Sequence, residues 1–157
     1  MKTIRKRRKQ CKTDYKRRLN LLKSEKPRVV FRRTNKYVIA QYVESSEARD
    51  KIIFGLTSKD LLKYGFPEKM AGSLKSLGAC YLTGYLIGKK IVKEKLVQPI
   101  LDIGMTRALH KNRVYAFLKG LIDSGIKIGC KEEAFPDEER IKEKIPVDEI
   151  KNRINKR

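Results

Sequence analysis

The sequence has no tryptophan, one histidine (His110) and three cysteines (Cys11, Cys80 and Cys130) among its 157 residues. The cysteines are odd in number, far apart and in no Cys-x-x-Cys pair, so they predict neither a disulfide framework nor a zinc site. A lone histidine adds no second ligand at a suitable spacing. We therefore expect no metal and no other cofactor, in a protein of a reducing, intracellular compartment.

Long apolar runs are also missing. No uninterrupted run approaches the ~18 residues that would suggest a membrane span. The N-terminus is basic, as that of a signal peptide is, but the apolar region of ~7–15 residues that should follow it is absent. The sequence therefore predicts a soluble, cytoplasmic protein without a membrane partner.

Acidic residues are scarce at the start of the chain. Residues 1–36 contain sixteen lysines and arginines but only Asp14 and Glu25, so fourteen of the twenty-one net positive charges lie in less than a quarter of the length. Residues 131–157 contain eight basic and eight acidic residues. Charge concentrated in this way is typical of nucleic-acid binders, rather than of a chain that is basic only for solubility or for lying on anionic lipid.

Three segments follow from this distribution: a basic arm (1–27), one α/β domain (28–130) and a charged C-terminal extension (131–157). Residues 2–18 contain almost nothing apolar, so we expect disorder there without a partner. Thr13 or Asp14 is suited to cap a short helix carrying the leucines 19, 21 and 22. Tyr15 either stacks on an unpaired base or packs on the domain.

From residue 28 the pattern has a period of two, with Val29 and Phe31 on one face. It predicts two strands, 28–32 and 37–43, joined by a turn at 34–36 in which Asn35 would take a positive φ. Residues 44–50 are predicted as a polar turn and 51–56 as a third strand. The cations at the hairpin tip are either solvated edge charges or phosphate contacts, and the neighbouring arm favours contacts.

Helical patterns fill most of the remaining domain. Ser58 is predicted to cap a short helix (59–64), and a long helix (73–93) contains three glycines that would let it approach the sheet closely. Residues 99–104 indicate a buried parallel strand, and Asn112 is predicted to cap a further helix that Gly125 ends. The order β-β-β-α-α-β-α predicts an α/β fold with a mixed sheet, an antiparallel N-terminal hairpin or meander, and crossover helices. Four isoleucines (141, 145, 150 and 154) form a weak stripe in a C-terminal extension that we expect to be partly ordered.

Ordered blocks along nearly the whole chain resemble one known family. They are Lys12-Thr-Asp-Tyr15, Arg17-Arg18-Leu19, Leu21-Leu22-Lys23-Ser24, Lys26-Pro27-Arg28, Asn35-Lys36, Ala40-Gln41, Ala79-Cys80-Tyr81-Leu82-Thr83-Gly84, Leu101-Asp102-Ile103-Gly104, Arg113-Val114-Tyr115-Ala116 and Phe135-Pro136-Asp137-Glu138. In this order they resemble the archaeal-type 5S rRNA-binding protein of the large ribosomal subunit, the universal family numbered eighteen. Two segments depart from the family pattern, at 70–78 and 105–110, which leaves contacts by them open.

The resemblance implies a ribonuclease H-like domain of the translational machinery that binds 5S rRNA and anchors it in the central protuberance, with large-subunit rRNA and neighbouring ribosomal proteins as further partners. The arm and the adjacent hairpin then supply the RNA contacts. These are Arg5, Arg7, Arg8, Lys12, Thr13, Tyr15, Arg17, Arg18, Lys26, Arg28, Arg32, Arg33, Asn35 and Lys36.

Two other functions share some of these features. A protein that compacts nucleic acid generally, or an RNA chaperone, has the same charge but would not explain the ordered blocks. A metal-dependent nuclease of ribonuclease H type needs several carboxylates that converge on metal ions. Asp102 is the one plausible first ligand, and none of the first three predicted strands supplies a second, so we expect Asp102 to cap a turn or to pair with a basic residue, and the chain not to be an enzyme.

Overall fold

A four-stranded mixed sheet forms the centre of the fold. The computed structural model describes residues 4, 6–47, 49–143 and 145–156, without the side chains of 69 and 71; Arg5 lies outside the described residues. The strands are β1 (Arg28–Arg33), β2 (Val38–Ser46), β3 (Arg49–Thr57) and β4 (Ile100–Asp102), in the spatial order β3-β2-β1-β4. The first three are antiparallel neighbours and β4 is parallel to β1, which confirms the predicted meander and the parallel fourth strand.

The two turns of the meander differ from their predictions. Asn35 does not have a positive φ, because Thr34 closes the turn instead: its Oγ1 donates to Tyr37 O at 2.8 Å and accepts from Tyr37 N at 3.0 Å. Residues 44–50 are mostly strand, since β2 continues to Ser46 and β3 begins at Arg49. The longer pairing places Ser45 opposite Asp50.

Six α-helices accompany the sheet within the part of the chain that the structure describes. They are α1 (Lys6–Lys9), α2 (Tyr15–Lys23), α3 (Leu77–Lys93), α4 (Arg113–Asp123), α5 (Glu138–Lys142) and α6 (Val147–Asn155), with short 3₁₀ helices at Ser58–Tyr64, Glu68–Ser73 and Glu132–Ala134. Asn112 caps α4 as predicted, through hydrogen bonds from Val114 N and Tyr115 N. The predicted order of strands and helices is confirmed, except that the short first helix is a 3₁₀ helix and a second 3₁₀ helix, Glu68–Ser73, follows it.

Two helix starts lie elsewhere than predicted. The long helix α3 begins at Leu77 rather than at residue 73, because the side chain of Ser76 accepts from Ala79 N as its cap. The short helix is capped by Thr57, whose backbone N donates to Asp60 Oδ2 at 2.9 Å. Ser58, the predicted cap, is fully buried and its Oγ accepts from Val38 N at 3.0 Å, so it joins this helix to β2.

Glycines bring α3 against α4 rather than against the sheet. A Cβ on Gly84 would overlap the carbonyl group of Phe117, and one on Gly120 would overlap that of Tyr81. Gly88 faces the side chain of Ser124 in the same way. The two helices therefore cross with their backbones in contact. The expectation that the glycines of the long helix serve helix–sheet packing is corrected, since Gly84 and Gly88 face α4 and its cap, and Gly78 faces Ile141 O on α5.

The core lies between the sheet and these helices. Val29 and Phe31 are fully buried, and the ring of Phe31 lies 4.9 Å from that of Phe117 on α4. The four isoleucines predicted as a weak stripe belong to the same buried cluster, each no more than 6% exposed. Helices α5 and α6 are thus packed on the domain, whereas the sequence suggested only partial order for the C-terminal extension.

Among the described residues, no helix has the length and apolar character needed to cross a bilayer.

Candidate nucleic-acid interface

The second helix of the arm is held on the domain by side chains. Asp14 begins α2 as a cap, accepting at Oδ1 from Lys16 N at 3.0 Å and from Arg17 N at 3.2 Å. None of the residues of α2 is buried. The Nη1 of Arg17 donates to Gly104 O at 3.2 Å, and Nη2 of Arg18 pairs with Asp50 Oδ2 at 2.9 Å. Helix α2 is therefore attached mainly by polar contacts, and the predicted cap at Asp14 is confirmed.

The first helix of the arm is a single turn of four cations, Lys6–Lys9. Its backbone turns back at Cys11, which has a φ of 51°. The Nε of Arg7 donates to Thr13 Oγ1 at 2.9 Å, so Thr13 joins α1 to the start of α2. The structure thus gives residues 6–9 and 15–23 helical form, where the sequence suggested disorder for 2–18 without a partner.

A buried arginine organises the face of the sheet below the arm. Arg28 is 2% exposed, and its guanidinium donates to Asp50 Oδ1 at 2.7 Å, to Asp102 Oδ2 at 3.3 Å and to Ser45 Oγ at 2.9 Å. A charge so deeply buried is tolerated because two carboxylates and a hydroxyl replace its water. Arg28 was predicted as an RNA contact; its burial assigns it instead to the interior, as the centre of an ion-pair network.

The carboxylate of Asp50 joins the arm to this network. Its Oδ2 binds Arg18 on α2, and its Oδ1 binds Arg28 and Ser45. Partial burial alone would raise the pKa of Asp50, but hydrogen bonds from Ser45 and Arg18 and the charges of Arg28 and Arg18 outweigh it and lower the pKa. The carboxylate therefore stays ionised between the two arginines at neutral pH.

Asp102 has the structural role that the sequence predicted for it. Its Oδ2 pairs with Arg28 and, at 3.2 Å, with Arg32, while its Oδ1 accepts from Gly104 N at 2.8 Å to close the turn after β4. The Nη1 of Arg32 also donates to Asp102 O at 2.9 Å. Asp50 does lie on the third strand, contrary to the expectation that none of the first three supplies a carboxylate, but a guanidinium lies between it and Asp102. Within the described part of the chain, no three His, Cys, Asp or Glu residues are grouped as metal ligands.

Several predicted contacts remain accessible at the surface. Arg8, Lys12 and Arg17 are exposed on the arm, and Lys26 is exposed before β1. At the hairpin tip Arg33, Asn35 and Lys36 are exposed, whereas Arg32 points back to Asp102 and is 43% exposed. Tyr15 is half-buried, which suits either of its two roles.

The arm and the hairpin tip lie close to each other. Because β1 and β4 are parallel, the turn at Gly104 lies at the same end of the sheet as the end of β1, next to the hairpin tip. Arg17 reaches that turn from α2 while Arg18 reaches the start of β3. The arm therefore crosses the sheet face opposite α3, and its cations form one basic surface with Arg32. Arg33 alternates to the other face of the sheet, near Cys80 on α3.

Sequence reasoning missed the residues that fix this surface. Asp50 was placed in a turn, and Ser45 and Gly104 were given no role. The pairing of Ser45 with Asp50 in the β2–β3 register would have indicated that a strand carboxylate faces the same side as Arg28. Register was the missing signal, and it depends on where the turn lies.

A basic α/β domain that displays exposed cations on an arm and on an adjacent hairpin belongs to the class of nucleic-acid-binding proteins. Residues 1–99 match the family model of the ribosomal large subunit proteins 60S L5 and 50S L18. The chain belongs to this family, which consists of ribosomal structural proteins and not of enzymes.

Individual relatives cover most of the chain. It is similar to the large ribosomal subunit protein uL18 of Korarchaeum cryptofilum, with 47% identity over 136 residues, or 87% of this chain and 68% of the relative. The uL18 of Methanothermobacter thermautotrophicus is 35% identical over 158 residues, with 96% and 80% covered, and that of Methanoregula boonei is 40% identical over 136 residues, with 87% and 76% covered. The protein is accordingly a structural constituent of the large subunit on cytoplasmic ribosomes.

Proposed function

We propose that this chain binds 5S rRNA through the basic surface formed by its arm and hairpin, and anchors that RNA in the central protuberance of the large subunit. Large-subunit rRNA and neighbouring ribosomal proteins are the further partners. The domain behind the surface is of ribonuclease H-like type and acts as a scaffold. The proposal extends family membership to a particular RNA and a particular surface.

One observation carries the proposal: the arm is attached to the domain by the ion pair of Arg18 with Asp50 and the hydrogen bond of Arg17 to Gly104 O, beside Arg32. An untethered polycation would follow any phosphate backbone, because its affinity comes from counterion release alone. Here Arg17 and Arg18 hold α2 across the sheet, so the exposed cations of the arm keep fixed positions relative to Arg32. A fixed arrangement of cations favours an RNA of matching shape.

The contacts assigned to RNA are the accessible members of the predicted set. They are Arg7, Arg8, Lys12, Thr13, Tyr15, Arg17 and Arg18 on the arm, Lys26 before β1, and Arg32, Arg33, Asn35 and Lys36 on the hairpin; Arg5 is included from the sequence alone. Arg28 is left out because it is buried. Arg18 and Arg32 serve both RNA and the ion-pair network, since each is about one-third or more exposed.

A competition experiment tests the proposal. Labelled 5S rRNA is bound to the purified protein at moderate salt and challenged with unlabelled 5S rRNA, transfer RNA of similar size, or duplex DNA. We expect 5S rRNA to compete at much lower concentration than the other two. Equal competition by all three nucleic acids would instead support general compaction or chaperone activity and would contradict the proposal.

A further inference from the structure

We propose that a cavity between the arm and the domain is a binding site for a single backbone phosphate of RNA. The cavity has a volume of about 140 Å³ and lies between α1–α2 on one side and the ends of β1 and β4 on the other. Its lining includes Arg7, Lys12 and Arg17 from the arm, and Arg32, Gly104 and Met105 from the domain. The inference rests on the proposed function in that the phosphate belongs to bound RNA.

The charge of the lining favours an anion. Five cations, the four named above and Arg18, face two carboxylates, Asp14 and Asp102. Both carboxylates are already compensated within the protein: Asp14 accepts from two backbone amides of α2, and Asp102 pairs with Arg28 and Arg32. The cavity therefore keeps an excess of positive charge.

Donors remain for a ligand. The hydrogen bond of Arg7 to Thr13 uses Nε, and that of Arg17 to Gly104 uses Nη1, and a guanidinium has five N–H donors in all. The Nζ of Lys12 has no hydrogen-bond or ion-pair partner among the described residues. Two guanidinium groups and an ammonium around one space match the oxygens of a phosphate.

The cavity is large enough for a phosphate group. Its volume of about 140 Å³ is several times the ~10–15 Å³ that one water needs on the same scale. A backbone phosphate carries no sequence information, so this site would set the position of the RNA on the protein.

The domain wall of the cavity is built closely around Arg32. Gly104 has a φ of +57°, and a Cβ there would lie 2.8 Å from the Cζ of Arg32. A glycine at this turn thus leaves the guanidinium where it pairs with Asp102 and lines the cavity. Because both walls are needed, the site is complete only when the arm lies on the domain.

Two exposed residues of one loop provide a matched test. Met105 lines the cavity and is 53% exposed, whereas Leu109 is 62% exposed and lies outside the cavity lining. Met105→Glu and Leu109→Glu change the net charge equally, and neither touches the ion-pair network. We expect Met105→Glu to weaken binding of 5S rRNA ~tenfold more than Leu109→Glu does, because a like charge beside a bound phosphate is repulsive. Lys12→Ala, compared with Lys16→Ala outside the cavity, should show the same inequality from the arm side.

Inorganic phosphate separates this inference from the proposed function. In NMR spectra of the full chain at constant ionic strength, phosphate but not chloride should shift the amide signals of Gly104 and Met105, and Met105→Glu should abolish the shift. If the parent chain prefers 5S rRNA but Met105→Glu and Leu109→Glu lose equal affinity for it, the phosphate site is overturned and the proposed function stands. That conclusion holds even if free phosphate shifts the amide signals. A phosphate-specific shift in a protein without 5S rRNA preference would contradict the proposed function alone.

Discussion

Arg28 is the residue on which the interface depends most. Its guanidinium is removed from water at the start of β1 and is surrounded by Ser45 of β2, Asp50 of β3 and Asp102 of β4. Burial of such a charge costs several kcal/mol, which the paired carboxylates roughly offset. The network therefore fixes the relative positions of its strands more than it adds to the free energy of unfolding. Removal of one partner should nevertheless destabilise the fold, because it leaves a buried charge less compensated.

Asp102→Asn should lower the free energy of unfolding by ~3 kcal/mol, because it leaves Arg28 with one carboxylate instead of two in a buried site. Urea unfolding followed by circular dichroism measures this. Asp137→Asn is the matched control, since it breaks an exposed pair with Lys111 and should change stability little. Equal effects of the two substitutions would show that the buried network has no special role.

Asp50 gives stability a pH dependence of known sign. Its pKa is lowered in the folded protein, below the unfolded value of ~3.9. The stabilisation is therefore fully present above about pH 4 and is lost as the pH falls through the folded pKa. Thermal unfolding between pH 6 and pH 2.5 should show a steeper decline in Tm for the parent than for Asp50→Asn; parallel declines would contradict this.

Tyr15 and Arg8 should respond differently to salt. Each phosphate contact contributes ~0.7–0.9 to the log–log salt slope, so Arg8→Ala should flatten the slope by about one unit on 5S rRNA and on unrelated RNA alike. If Tyr15 stacks on a base, Tyr15→Ala should cost ~1–3 kcal/mol on 5S rRNA with the slope unchanged. Binding across a salt series measures both, and an unaltered affinity for Tyr15→Ala would assign the ring to packing on the domain.

At the scale of single residues, the sequence predicts local hydrogen bonds better than it predicts which distant residues a side chain contacts. The cap at Asp14 was predictable, and so was the turn that Asp102 closes by accepting from Gly104 N, because both depend on near neighbours in the sequence. The burial of Arg28 was not, since its partners come from β2, β3 and β4 and meet it only in the folded register. Alternation put Arg28 on the outer face, and the resemblance to the family implied a contact with RNA.

Among the elements, the crossing of α3 and α4 has the tightest packing. Gly84 and Gly120 let the two backbones touch, and the side chains around them, including Leu82 and Leu121, are fully buried. Packing of this density transmits small volume changes to both helices. The crossing therefore sets the position of α4 relative to the sheet.

Gly84→Ala should destabilise the protein by ~1–3 kcal/mol, although alanine favours helix, because its methyl group would overlap the carbonyl of Phe117. Gly129→Ala is the control, since nothing lies within 4 Å of a Cβ built there. Denaturant midpoints of the two variants against the parent provide the measurement. A stabilised Gly84→Ala would show that helix propensity outweighs the close contact.

Local pattern predicted most elements and failed where a distant partner decides. The strands and α4 followed from alternation and from the apolar stripe beginning at Val114. The C-terminal extension was predicted to be only partly ordered, because its isoleucines are separated by polar residues and by Pro146. In the structure Ile150 is 1% exposed. Ile150 is buried because α6 packs on α3, and a contact with so distant a helix cannot be predicted from the local sequence.

Across the whole molecule, stability and charge lie in different places. The core contains none of the residues of α1 or α2, while the first 36 residues hold two-thirds of the net charge. Strong self-repulsion in the arm opposes its folding, and anchoring by Arg17 and Arg18 keeps it on the sheet. Fold and RNA affinity should therefore be separable by truncation.

A chain that begins at Ser24 should keep its fold and lose most of its affinity for 5S rRNA. Removal of residues 1–23 breaks the partly exposed Arg18–Asp50 pair and uncovers a few half-buried leucine contacts, so the free energy of unfolding should fall by ~2 kcal/mol or less. The same truncation removes eleven lysines and arginines. If half of them contact phosphates, the log–log salt slope for 5S rRNA should fall by about four units.

A full-length chain with the order of residues 1–23 scrambled is the control. It keeps the charge but loses the cap at Asp14 and the contacts of Arg17 and Arg18. It should therefore retain a steep salt slope without preference for 5S rRNA over transfer RNA. Unchanged 5S rRNA affinity in the truncated chain would place the binding surface elsewhere on the domain.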